Sequence, residues 1–497
     1  MKPRPLIGAL LLAVATACGP ITTAEPTVPS LGTPVPFEST IFKPASIAPA
    51  SVVRLEDARP NIILITTDDQ PFHTVEQMPT VRDVLMQDGV TFENGFVTTP
   101  LCCPSRVSIL TGEYVHNHGV FTNDFPTGGA QLYDDSDSYA VWLREAGYRT
   151  GYIGKYLNDY DALQPYGRVP PGWDEWFAFL GKNLGEEELA SQYFSDYSIS
   201  NNGAIEQYEA EGSIFSADLL TQTAVDFIGE NRDEPFFLTV NYYNPHSPYL
   251  WAERHDPQFR LKGELQPPDY RPPNFMEPDV SDKPAYLRNL NPIAVEKIDI
   301  TYKQILRSLL SVDDGVASML SALDTAGLSE KTILIYLSDN GMTVGNHRLG
   351  VTKNCAYDEC ARVPFIVYAP GHFAARADVH LVANIDLAPT FAELAEATIP
   401  ETVDGRSLVA LLADAENPWR GAVLIEHWPT NKGVGSLIPE FAAVRTADWK
   451  YVEYATGEIE LFDLINDPFE LENLAGLPDL ASLQTDLARE LARLTRD

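Results

Sequence analysis

Basic residues are scarce in this chain: 35 Lys and Arg stand against 70 Asp and Glu, a formal net charge of -35 over 497 residues. That balance excludes a general nucleic-acid binder, which needs a basic footprint. An anionic ligand would have to be met by a small, focused set of cations within an acidic exterior. Hydrophobic residues make up 44% of the chain, so the sequence is that of a globular protein and not a disordered one. Its length allows one large domain with a smaller one, or three modest domains.

Also missing is an apolar run long enough to span a bilayer as a mature helix, because the stretch from Leu6 to Ala17 is too short. Preceded by Met1-Lys2-Pro3-Arg4, it reads as the basic and apolar regions of a secretory signal over residues 1–18. Ala15-Thr16-Ala17-Cys18 resembles a bacterial lipobox, without the leucine usual three residues before the cysteine, and implies a lipid on Cys18. Residues 19–58 are rich in Pro, Thr, Ser and Ala and read as a disordered tether. The expectation is an exported protein, a cell-surface or periplasmic lipoprotein, with secretion or an uncleaved anchor as alternatives.

Two stretches share one grammar. Asn61-Ile62-Ile63-Leu64-Ile65-Thr66-Thr67 ends in Asp68-Asp69, and Thr332-Ile333-Leu334-Ile335-Tyr336-Leu337-Ser338 ends in Asp339-Asn340. Unbroken apolar runs suit strands buried on both faces of a parallel sheet. Polar residues directly after them lie at the carboxyl end, where open α/β sheets bind ligands. Adjacent carboxylates repel, so a cation is their natural partner; the alternative is a solvated turn. An all-oxygen set favours Ca2+, with Mg2+ second because it demands stricter octahedral geometry.

Between these stretches lies Leu101-Cys102-Cys103-Pro104-Ser105-Arg106-Val107-Ser108-Ile109-Leu110-Thr111-Gly112. Pro104 suits a first turn and Gly112 a stop, so this reads as a helix with Cys102 at its mouth. There the macrodipole favours an anion, and Arg106, four residues on, shares the face. The stretch resembles the signature of the type I sulfatases of the alkaline phosphatase superfamily, Cys-x-Pro-Ser-Arg followed by x-x-x-Leu-Thr-Gly, and every fixed position is present. The resemblance implies that Cys102 is oxidised to formylglycine (3-oxoalanine) by a sulfatase-maturing enzyme. It also implies an α/β fold, a large mixed and mostly parallel sheet sandwiched by helices, over residues 59–418, with a smaller C-terminal antiparallel sheet plus helix over 419–497.

The same resemblance assigns the remaining roles. Asp68, Asp69, Asp339, Asn340 and the modified Cys102 would hold one Ca2+; Arg106, Lys155 and Lys353 would contact sulfate. His246, in Asn244-Pro245-His246-Ser247-Pro248, would protonate the leaving oxygen, and its ordinary pKa suits that task. Many sulfatases carry a histidine two residues after the first lysine, where this chain has Leu157. His347 would line the pocket or brace its loop. His116 and His118 read as structural or pocket-wall residues, since oxygen donors elsewhere suit a hard cation better. Gly154-Lys155-Tyr156-Leu157-Asn158, the double cysteine and Tyr114-Val115-His116-Asn117-His118 look most like the N-acetylglucosamine-6-sulfatase branch, implying a sulfated amino sugar or related glycan. Rival readings are a phosphomonoesterase or phosphodiesterase of the same superfamily, and a catalytically silent glycan-binding lipoprotein.

Elsewhere, Val75 to Gly89 reads as a helix. Trp173, Trp176, Tyr193 and Tyr197 would stack on sugars or cap the sheet. Trp251 to Pro292 reads as a surface excursion, and the periodic run from Ile300 as a helix ended by Gly327. Short strands are expected at 422–426, 441–446, 449–454 and 460–463, with a closing helix from about Leu480. Cys103 is expected to be a buried thiol. Cys355 and Cys360, five apart, leave a local disulfide open, since spacing alone does not fix connectivity.

Overall fold

Asn61–Asp68 is buried at every position and lies in the middle of a ten-stranded sheet. Its flanking strands, Phe236–Pro245 and Thr332–Ser338, both run parallel to it. From one edge the order is Arg376–Ala383, Val90–Phe96, Phe365–Tyr368, Thr332–Ser338, Asn61–Asp68, Phe236–Pro245, Arg149–Gly154, Glu175–Leu180, Tyr197–Asn201 and Ala204–Tyr208. Phe365–Tyr368 and the last two strands pair antiparallel, so the sheet is mixed with a parallel centre. This computed structural model describes residues 59–180, 194–208, 214–257, 270–291, 293–430 and 434–496.

Helices cover both faces because strands this apolar must be sealed on each side. One face packs Cys102–Thr111, Tyr139–Glu145 and Leu387–Ala395 around Phe237, Ile335 and Phe391. The other packs Ser216–Glu230 and the 32-residue helix Val295–Ala326 around Ile63, Leu238 and Tyr336. Gly327 ends that long helix with a left-handed φ of 68°. No described helix is long and apolar enough to cross a membrane.

A second sheet of four antiparallel strands, Ala422–His427, Phe441–Thr446, Trp449–Tyr454 and Ile459–Asp463, precedes the helix Ala481–Leu494. It shares one core cluster with Phe96, Tyr357 and Leu381 from the larger sheet's side. The signal, the tether and the Cys18 lipid site lie outside the described residues.

Two expectations need correction, and one left open is decided. The helix expected over 75–89 begins later: a short 3-10 segment, Phe72–Gln77, is followed by a helix over 79–88 whose middle, Val81–Met86, is π-helical. Pro79 is the reason, since the residue before a proline is pushed out of the helical region, and Met78 is extended. Trp173, Trp176 and Tyr197 are core residues and cap the sheet, with Trp176 stacked on Tyr152 at 4.6 Å; Tyr193 lies outside the described residues. The excursion from Trp251 is no simple surface loop, because Asn274, Lys283 and Leu287 are wholly buried.

Candidate active site

Register brings Asp68-Asp69 and Asp339-Asn340 together. Thr67 lies opposite Ser338 in the parallel ladder, so both chains leave the sheet side by side. Asp339 N–H donates to the Thr67 carbonyl (3.0 Å), Asp69 N–H to Asp339 Oδ1 (3.2 Å), and Asn340 Nδ2 to Asp69 Oδ1 (2.8 Å). Asp69 adopts a left-handed backbone, φ 66°. That conformation, tolerated by Asp, breaks the alternation of a strand and lets successive acids face one hollow.

Cys102–Thr111 enters the same hollow with its first residue, and all ten of its residues are buried. Gly112 ends it at φ 78°, where a Cβ would meet Val403 Cγ1 at 2.9 Å. Cys102 Sγ lies 3.4 Å from Asp68 Oδ1 and 3.8 Å from Asp69 Oδ1. Arg106 reaches past it to donate from Nε to Asp339 Oδ2 (2.8 Å) and from one terminal nitrogen to the Lys155 carbonyl (3.0 Å). Its other terminal nitrogen is 3.9 Å from Asp68 Oδ2 and has no hydrogen-bond partner.

Lys155 follows the strand Arg149–Gly154 directly, is anchored through its N–H to the Asn241 carbonyl, and pairs with Asp68. Lys353 donates to Asp69 Oδ1 (2.5 Å) and to Cys102 Sγ (2.6 Å). His246 sits just past the strand Phe236–Pro245, its Nδ1 hydrogen-bonded to the Ser247 carbonyl (2.8 Å) and its Nε2 3.7 Å from Asp69 Oδ2. Nine of the ten expected residues therefore converge on one hollow at the carboxyl ends of the central strands.

The tenth does not join them. His347 is fully buried, its Nδ1 bound to Glu277 Oε2 (2.7 Å), its Nε2 accepting from Asn274 (3.0 Å), and its ring stacked on Tyr357 at 3.9 Å. With both nitrogens engaged it braces the loop instead of meeting a substrate. His116 pairs with Glu426 and His118 with Ser108, structural roles as expected. Cys103 is a buried free thiol, and Cys355 and Cys360 form a disulfide with a Cα–Cα distance of 5.5 Å.

The charges hold one another. Burial alone would raise the Asp68 carboxyl, but Lys155, His246 and Arg106 bring it far below its usual range. Burial, then the charge of Asp68, lifts Asp339 to about 6. Burial pushes the Cys102 thiol up, with Asp68 adding to the effect, so the unmodified side chain stays protonated and is a poor nucleophile. Burial draws the His246 imidazole below its ordinary value.

A hard cation fits these residues. Carboxylate oxygens of Asp68, Asp69 and Asp339 and Cys102 Sγ lie within 4.8 Å of one another. Asn340 Oδ1 beside them is buried without a hydrogen-bond partner. Such a crowded, oxygen-rich set suits a hard divalent cation.

Sequence reasoning passed over Asn384, Tyr243 and Tyr249. Asn384 accepts from Thr98 N–H (3.1 Å) and donates to Ser105 Oγ (3.0 Å), fixing the Cys102 helix. No motif spacing marks it. Tyr249 packs near enough to Asp69 and Lys353 for both to act on its hydroxyl. An aromatic after Pro-His-Ser-Pro was the available signal.

The pattern of the Sulfatase family matches residues 60–397, and that of the N-sulphoglucosamine sulphohydrolase C-terminal region matches 345–497. An extracellular sulfatase Sulf-1 homolog of Caenorhabditis elegans is 35% identical over 398 residues, 76% of this chain and 53% of the relative. Human N-acetylglucosamine-6-sulfatase is 32% identical over 461 residues, 84% of this chain and 81% of the relative. The chain spans about half the length of the nematode protein and about a third of its Drosophila melanogaster counterpart. Among solved structures, BT4656 in complex with its substrate D-glucosamine-2-N,6-O-disulfate superposes with a TM-score of 0.72 at 24% identity, covering 88% of this chain and 98% of that one. A phosphonate monoester hydrolase from Silicibacter pomeroyi superposes at 0.66 and 22% identity, covering 88% and 95%, so the fold alone spans more than one chemistry. Family pattern and relatives agree: the chain belongs to the sulfatase family.

Proposed function

We propose that this protein hydrolyses a sulfate monoester on a sulfated amino sugar or related glycan, using formylglycine at position 102 and Ca2+. The observation that carries the reading is the meeting of Cys102 Sγ, three carboxylates, two lysines and Arg106 in one buried hollow. An acidic molecule concentrates its fixed cations where a sulfate would sit.

Residues 59–418 form the catalytic domain in this reading and 419–497 a small C-terminal subdomain. Asp68, Asp69, Asp339, Asn340 and residue 102 would hold Ca2+, which when bound supplies charge that polarises the sulfate ester. Oxidised and hydrated, residue 102 offers one hydroxyl to attack sulfur; loss of the proton from its second hydroxyl then expels sulfate and restores the aldehyde. Arg106, Lys155 and Lys353 stabilise the charge that grows on the sulfate oxygens. His246 protonates the departing alcohol as the ester S–O bond breaks, giving up the Nε2 proton of its imidazolium form while Nδ1–H stays on the Ser247 carbonyl. Conversion of Cys102 requires a sulfatase-maturing partner.

The amino-sugar preference rests on the human N-acetylglucosamine-6-sulfatase relationship and on the substrate bound by BT4656. The extracellular relatives support export; a lipid on Cys18 is part of the proposal. Phosphoester or phosphonate hydrolysis is the second reading, favoured by the fold shared with the phosphonate monoester hydrolase.

Inorganic sulfate released from glucosamine 6-sulfate, beside phosphate released from the matched phosphate ester, tests the function. Calcium-dependent sulfate release, abolished by chelation, is expected. Preferential phosphate release would favour the second reading and overturn the first.

A further inference from the structure

The first lysine of the site stands without the neighbour that the family leads one to expect. Leu157 occupies the place where many sulfatases carry a histidine, and it is buried, part of the core on that face of the sheet. What lies against Lys155 instead is an aromatic face: its Nζ is 5.0 Å from the centroid of the Tyr243 ring. The same ring lies 4.6 Å from the imidazole of His246, inclined at 50°.

Tyr243 is well placed to fix both. It belongs to the last residues of the strand Phe236–Pro245, and Phe194 meets its ring edge-on at 5.4 Å. Its carbonyl accepts the His246 N–H (2.9 Å), closing the turn that presents the imidazole. Just past that turn Ser247 faces solvent, and the side chain of His246 is 26% exposed. An ammonium over an aromatic face is attracted by the ring quadrupole, an interaction strengthened by the exclusion of water. We infer that Tyr243 is a positioning residue, its ring holding the Lys155 ammonium and the His246 imidazole in a fixed relation across the site. The inference rests on the sulfatase reading and adds a residue that the signature does not contain.

The ring, not the hydroxyl, supplies these contacts, so phenylalanine should replace tyrosine and an aliphatic residue should not. His246 matters most when the leaving group is a poor one, because a sugar alcohol needs a proton and a nitrophenolate does not. Lys155 would act on the sulfate of either substrate.

The experiment compares glucosamine 6-sulfate with 4-nitrophenyl sulfate on mature, calcium-supplemented protein. For Tyr243→Leu, kcat on the sugar sulfate should fall about tenfold or more while kcat on the aryl sulfate falls less than about threefold. KM should rise by a similar factor for both, about threefold, and Tyr243→Phe should restore both constants to within about twofold. Tyr243→Met serves in place of the leucine variant if that does not fold, with melting curves as the control. Equal kcat losses on the two substrates, no loss on either, or failure of Tyr243→Phe to rescue would overturn the inference while leaving the sulfatase reading intact. A parent protein inert toward both substrates would overturn that reading, and this inference with it.

Discussion

Arg106 shows how one side chain serves both the fold and the chemistry. Buried at the foot of the Cys102 helix, it neutralises Asp339 and approaches Asp68 while keeping one terminal nitrogen unpartnered. Removing a single partner from a buried ion pair leaves an uncompensated charge, so Arg106→Ala should destabilise the protein by about 3–5 kcal/mol, measured by urea unfolding without added metal. An unchanged midpoint would mean that Asp339 is neutral or otherwise paired. The placing of Arg106 on the face of Cys102 was legible from their four-residue spacing, and so were the acids after each apolar run. Tyr243 and Asn384 were not, because a ring beside a lysine and an amide beside a helix come from segments that meet only in three dimensions.

Elements, more than residues, make the site, since the parallel register of three strands aligns their polar ends. A comparable device holds the Lys353 loop from the other side. Lys450, on the strand Trp449–Tyr454 of the small sheet, is fully buried between Asp358 Oδ1 (2.5 Å) and Glu470 Oε1 (2.6 Å). Asp358 opens the helical turn Asp358–Ala361 that contains Cys360 of the disulfide. Lys450→Met should therefore cost about 3–5 kcal/mol in denaturant unfolding, with Arg445 left to share Asp358. A loss below about 1 kcal/mol would make this pair no stronger than a surface one. The four strands of that sheet were legible because each alternates or runs apolar between turn residues. Glu175–Leu180, Tyr197–Asn201 and Ala204–Tyr208 were missed, their aromatics being as consistent with ligand stacking as with a sheet edge. The helix Ser216–Glu230 was passed over with them.

At the scale of the whole molecule, the excess of acids coexists with several imidazoles kept neutral. Burial lowers His118 to about 3 and His427 to about 4 from an ordinary 6.5. A base depressed in this way binds fewer protons folded than unfolded, so its contribution is intact above about 6.5 and is lost as pH falls toward the folded value. Asp339, raised to about 6, and Glu470, raised to about 7, act in the opposite sense, so the net profile mixes both. A difference isolates one group: relative to His427→Gln, the parent should lose about 1.4 kcal/mol per pH unit between about pH 6.5 and 4, read from urea midpoints. A pH-independent difference would show that His427 titrates normally in the fold.

One buried cysteine bears the weight of the account, and its chemical state is directly measurable. Mass analysis of the peptide containing Cys102, from native protein that is releasing sulfate, should find 3-oxoalanine at that position. An unmodified thiol in fully active material would contradict the proposed chemistry.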